Sequence, residues 1–224
     1  LLSKGVSLAV GRAIAASPHK AGLEVFAYGT GMHGGFILGW LLFPLVRQSL
    51  YSDYGRGPAP TRPAPQLAPL DLLRYGAGTL LAALPLISLL SVGWTQLLRL
   101  VGLPDEPQGL VAIFNETKSV PVVAGMLLVA CVLAPISEEL IFRAGLYRFI
   151  RQKLGRTPAL LISGACFGAL HGNYAGFLPL AVLGMLFAIV YEATGSIRVT
   201  MIAHALFNLN TLVLLLSGLM GPNA

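Results

Sequence analysis

The sequence predicts an all-α protein, a polytopic transmembrane helical bundle of about six spans with an N-terminal interfacial helix. Two observations carry that prediction. The chain is 55% hydrophobic and only 11% charged over 224 residues, with a mean hydropathy of +0.76, whereas soluble domains carry about 25% charged residues. Its apolar residues also come in long runs broken by glycine, proline and basic residues. A membrane β-barrel would instead alternate apolar and polar positions.

The elements follow in order. Residues 1 to 20 space Lys4, Arg12 and Lys20 among apolar residues, the pattern of a helix lying at the interface. Residues 24 to 46 form a glycine-rich first span closed by Pro44 and Arg47; its His33 reads as a packed or interhelical polar residue, not a ligand. Residues 51 to 69 are a loop with five prolines and the basic Arg56 and Arg62. A second span covers 72 to 101, with Pro85 as a kink point. Residues 102 to 119 are a polar connection carrying Asp105, Glu106, Glu116 and Lys118.

The third span runs from Val120 through Glu138 and Glu139 and ends in the basic segment Arg148, Arg151, Lys153 and Arg156. The fourth starts near Pro158, a residue suited to a first helical turn, and reaches His171, where Gly172, Asn173 and Gly176 break it. The fifth covers Phe177 to Ala193 and turns at Thr194-Gly195-Ser196. The sixth covers Val199 to Ser217 and carries His204 and Asn208.

Lysine and arginine favour the cytoplasmic side of short loops. The loops at 47 to 62 and 148 to 156, and the turn at Arg198, are then cytoplasmic, and the acidic 102 to 119 connection lies outside. Lys4, Arg12 and Lys20 disagree, and the loop assignments, which alternate correctly over five consecutive spans, outweigh them. The basic residues behind the net charge of +6 lie mostly between apolar runs, which reads as membrane orientation rather than nucleic-acid binding, and no nucleic-acid partner is expected. Cys131 and Cys166 both sit in apolar runs, which disfavours a disulfide and a metal cluster of cysteines. The chain begins at Leu1 and not Met, and further N-terminal sequence is expected ahead of it.

Ionisable residues at membrane depth are costly and face protein or a wet cavity. Glu138 and Glu139 therefore mark a candidate site. Arg143, one turn beyond Glu139, can pair with it, which leaves Glu138 unexplained. With the third and fourth spans as a hairpin, 138 and 171 are equidistant from its turn and lie level. His204 lies eight residues past the 194 to 196 turn, about 12 Å along a helix, with Asn208 on the same face. Phe167 likewise shares a face with His171. Carboxylate and imidazole can deprotonate a water; imidazole and amide can hold an oxyanion. The same Glu138, His171 and His204 are also a familiar zinc set, and each residue could simply bridge helices by hydrogen bonds.

Glu138-Glu139-x-x-x-Arg143, Phe167-x-x-x-His171 and His204-x-x-x-Asn208 occur in this order. They resemble the three signature motifs of the CPBP family of intramembrane proteases, which includes CAAX prenyl endopeptidases of the Ras-converting type and bacteriocin-processing or immunity proteins. Ala-Pro-Ile-Ser before the glutamate pair and Tyr191-x-x-Thr-Gly-Ser before the last motif are similar too. The resemblance implies that Glu138 is the general base on water, assisted by His171; that His204 and Asn208 hold the oxyanion; and that Glu139, Arg143 and Phe167 support them. Family members are often labelled metalloproteases, yet a metal-free, glutamate-dependent mechanism is also proposed for them, so zinc stays open as a cofactor.

The expected organisation is an N-terminal segment with two spans at 1–119, a four-helix catalytic core at 120–217 and a tail at 218–224. The expected protein is a multi-pass intramembrane endopeptidase of a bacterial inner membrane. Its partners are the lipid bilayer and a peptide or membrane-protein substrate. The competing reading is a non-catalytic immunity or assembly partner that keeps the motifs. His-Glu-x-x-His, Gly-x-Gly-Asp and a Gly-x-Ser-Gly setting are all absent, which disfavours the other intramembrane protease classes.

Overall fold

The computed structural model describes residues 11–50, 67–106, 113, 117 and 119–217. Among these there is no strand. Six long helices follow one another: α1 (Lys20–Leu50), α2 (Pro69–Leu100), α3 (Val120–Leu154), α4 (Arg156–Leu170), α5 (Tyr174–Thr194) and α6 (Ile197–Leu216). Residues 11–15 are also helical. The expected interfacial stretch up to residue 10, most of the proline-rich loop, Glu116, Lys118 and the tail lie outside the described residues.

Four of these helices, α2, α3, α5 and α6, are long and apolar enough to cross a membrane. The chain is an integral membrane protein. One expected span differs from them. α4 is apolar but has only 15 residues, about 22 Å of helix at 1.5 Å per residue, against a hydrocarbon core of roughly 30 Å. α1 has 31 residues; the side chains of its last seven lie outside the described residues, so its expected span is not among the four assigned by length and composition.

The third helix is also longer than the sequence suggested. It continues past the glutamate pair to Leu154, so Arg148, Arg151 and Lys153 ride its last turns and do not form a loop. Arg151 Nε and Arg156 Nε donate to the two carboxylate oxygens of Glu192 at 2.9 and 2.7 Å, which ties α3 and α4 to α5. Gly155, at φ 88°, supplies the sharp α3–α4 turn. At the other end of α4, Gly172 has φ 60° and Asn173 caps α5, its side chain accepting from Gly176 N at 2.7 Å.

Side-chain pairings set the directions. Arg143 reaches Gly184, and Arg151 reaches Glu192, so α3 and α5 run parallel. His204 meets Glu139 and Asn208 meets Ala130, so α6 runs antiparallel to α3. Gly22 faces Val122 and Gly29 faces Val129, so α1 runs parallel to α3. Trp94 donates to the Tyr174 carbonyl at 2.7 Å, where the end of α2 meets the start of α5. Nearby, Asn173 donates to the Glu106 carbonyl, and Arg99 pairs with Asp105, holding that carboxyl below its usual value.

Small residues bring the helices close, as expected where apolar burial alone gives little preference over lipid. A Cβ on Gly164 would fall 2.6 Å from the Ala181 carbonyl oxygen, and one on Gly168 would collide with that of Phe177. α4 therefore lies backbone to backbone on α5. Ala83, Ile87, Leu183, Phe187 and Ala203 form the apolar contact among α2, α5 and α6. Tyr147, Ile150, Ala159 and Ala188 join α3, α4 and α5.

Candidate active site

The site begins with an interrupted helix. Ala134–Glu139 is α-helical but lies between two π-helical stretches, Val129–Leu133 and Leu140–Tyr147. Pro135 gives a physical cause for the first, since proline has no N–H and its ring crowds the carbonyl four residues back. Ala134 N instead bonds Val129 O, five residues back. The Ala130 carbonyl then has no donor four or five residues on. Asn208 Nδ2 fills that place, donating to Ala130 O at 2.8 Å. π-turns of this kind are frequent at functional sites.

Neighbouring residues on a helix point about 100° apart, yet Glu138 and Glu139 both reach His204. His204 Nδ1 lies 3.1 Å from Glu139 Oε1, and its Nε2 lies 3.8 Å from Glu138 Oε2. An ionised carboxylate only accepts, so Nδ1–H donates to Glu139 and Nε2 faces Glu138. The sequence paired Glu139 with Arg143 alone; its second partner, His204, was not foreseen.

The two carboxylates have different surroundings. Glu139 is 0% exposed and lies 3.0 Å from Arg143 NH1, with the arginine side chain only 2% exposed. Arg143 NH2 donates to the Gly184 carbonyl at 3.0 Å. Its guanidinium lies 4.8 Å from the Phe167 ring centre and 5.2 Å from that of Phe187, within cation–π range. The structural ion pair read from the i, i+4 spacing is therefore present and wholly buried. Glu138 keeps 20% of its side chain exposed, and its Oε2 has no hydrogen-bond partner among the described residues.

Phe167 holds the two histidines on one side. It is fully buried, with its ring centre 5.1 Å from that of His171 and 5.7 Å from that of His204. His171 caps the end of α4 and donates Nδ1–H to the Phe167 carbonyl at 2.8 Å. In neutral imidazole that leaves Nε2 as the acceptor. His171 is in no direct ion-pair contact with either carboxylate. Any joint work with Glu138 runs through a molecule between them.

Among the described residues, no three His, Cys, Asp or Glu side chains are placed to hold a metal ion. Glu138, His171 and His204 do not form such a group as arranged; of the three, Glu138 and His204 are in ion-pair contact, at 3.8 Å.

One contact was not legible in the sequence. His33 of α1 is buried, with Nδ1 2.6 Å from Ser137 Oγ, next to Glu138. The interhelical role read for His33 holds, but its partner stands 104 positions away and no spacing rule finds it. A histidine in an apolar run and a serine ahead of the glutamate pair were the available signals.

Comparison with known proteins covers this part of the chain. Residues 120–210 match a family described as Rce1-like, type II CAAX prenyl endopeptidase. The resemblance to CPBP proteases holds over this region. The matched stretch begins with α3 and ends within α6, so it contains Glu138, His171, His204 and Asn208 and excludes α1. A relative named "Putative membrane peptidase YdiL", from Bacillus subtilis (strain 168), is 32% identical over 107 residues. That match spans 48% of this chain and 43% of the relative. No solved structure matches significantly. Both matches are to peptidases by their descriptions, and the chain spans less than half the length of the relative.

Proposed function

We propose that the chain is an intramembrane endopeptidase in which Glu138 is the general base and Glu139 belongs to the scaffold. One observation carries the reading. Of two adjacent carboxylates, Glu139 is fully buried between Arg143 and His204, while Glu138 keeps 20% of its side chain exposed and faces His204 Nε2. A base must have room for its water, and only Glu138 has it.

In this mechanism Glu138 takes a proton from water as the oxygen adds to the scissile carbonyl carbon. The charge that develops on the carbonyl oxygen is held by His204 Nε2–H, available when the ring is imidazolium, and by the second amide proton of Asn208. The C–N bond then breaks, and the leaving amine takes the proton held by Glu138. His171, with Nε2 as acceptor, orients the water. The substrate is a peptide or membrane protein reached from the bilayer, and the proposed location is a bacterial inner membrane with the basic ends of α3 and α6 in the cytoplasm.

The test is substrate trapping. Glu138→Gln expressed in place of the wild type should retain intact proteins that the wild type cuts, identified by mass spectrometry of co-purifying species. Equal sets of cleaved products in both strains would contradict the reading.

A further inference from the structure

Resting on the protease reading, we propose that His33 is a positioning residue of the site. It holds Ser137, and through it the Glu138 turn, in the working geometry. His33 lies on α1, outside the stretch matched to the protease family, and nothing in the general-base mechanism uses it.

The argument starts from the hydrogen bonds. Ser137 is 0% exposed, and its hydroxyl donates to Ala134 O at 3.1 Å. A hydroxyl has one proton. The 2.6 Å contact with His33 is therefore Nδ1–H donating to Oγ. His33 is thereby fixed in its Nδ1–H tautomer.

The need for this contact follows from Pro135. The proline breaks the helix ladder one turn before Glu138, so that stretch is held less firmly by its own backbone. It is braced from outside at two points. α6 supplies Asn208 to the Ala130 carbonyl, and α1 supplies His33 to Ser137. The register of α1 is set by close packing: a Cβ on Gly29 would lie 2.6 Å from Val129 Cγ1, and one on Gly125 would lie 2.8 Å from the Phe26 ring. His33 is also within electrostatic reach of Glu138 and His204. Catalytic groups need placement to about 0.5 Å, and a misplacement of about 1 Å can cost roughly a hundredfold. Losing the α1 brace should then act on turnover more than on substrate binding.

The experiment uses the full chain in proteoliposomes with an internally quenched transmembrane peptide. Asparagine carries an N–H near the position of His Nδ1; leucine carries none. His33→Leu should lower kcat about tenfold or more with KM within about twofold, and His33→Asn should restore most of the loss. Ser137→Ala should give the same loss, and the double variant should add little. Thermal unfolding in detergent identifies variants that fail by misfolding, and the asparagine rescue then carries the test. ¹⁵N-histidine NMR should show His33 as the Nδ1–H tautomer, lost in Ser137→Ala.

A folded His33→Leu with unchanged kcat, equal losses in the asparagine and leucine variants, or an Nε2–H tautomer in the wild type would overturn the proposal. If the wild type and Glu138→Gln release equal product, the protease reading has failed and takes this role with it. The tautomer still reports the contact in that case, so the two failures are distinguishable.

Discussion

His204 donates its Nδ1–H to Glu139 across 3.1 Å. This bond fixes which face of the imidazole looks toward Glu138 and joins the last motif to the first across 65 positions of chain. It also explains the glutamate doublet. The second carboxylate anchors the histidine and the arginine, and the first is free for the proposed role of base.

Breaking the anchor should cost more than disabling the base. Arg143→Leu removes one member of a fully buried pair, a change that typically destabilises by about 3–5 kcal/mol. It also removes the side-chain donor to the Gly184 carbonyl. The variant should accumulate poorly and melt early in detergent, while Glu138→Gln melts near the wild type. An Arg143→Leu protein of normal yield and melting temperature would remove the arginine from its structural role.

Asn208→Ala should show two separable effects. The Ala130 carbonyl loses its donor, and a buried unsatisfied group costs about 1–3 kcal/mol, visible as a lower melting temperature. Loss of an oxyanion donor should slow cleavage about a hundredfold to a thousandfold. A lower melting temperature with an unchanged rate would leave Asn208 with the bracing role alone.

Much of this was legible from the chain. Long apolar runs, Pro158, Gly172 with Asn173, and Gly195 marked the last four helices to within a few residues. The exception is the end of α3, where Arg148, Arg151 and Lys153 read as a loop because their charge outweighed their helical register. The pairing of Arg151 with Glu192 lies 41 positions away and is invisible to local pattern. The spacing of Glu139 and Arg143 foretold the buried ion pair. Spacing could not give the Glu139–His204 bond, because it depends on π-turns around Pro135 that no periodicity records. His33 with Ser137 is the same kind of case.

Metal dependence is directly testable. The arrangement of Glu138, His171 and His204 does not present three ligands to one point, and the proposed chemistry needs none. Cleavage in proteoliposomes should survive dialysis against a strong chelator. Loss of activity that zinc alone restores would turn these residues from base and donors into ligands.

Orientation can be read with single cysteines in a background with Cys131 and Cys166 replaced by alanine. A cysteine at Asp105 should react with an impermeant reagent from outside the cell, and one at Lys153 only after the membrane is opened, because basic loops stay in the cytoplasm. Labelling of both from the same side would refute the topology.

The division of labour between the two glutamates is tested most directly by the cleavage rates of purified Glu138→Gln and Glu139→Gln at matched folded fraction. The account predicts a Glu138→Gln protein that melts like the wild type and has lost nearly all cleavage. It predicts a Glu139→Gln protein whose first defect is stability, since the Arg143 charge is left unpaired in the interior. A well-folded Glu138→Gln protein that cleaves at the wild-type rate would contradict it.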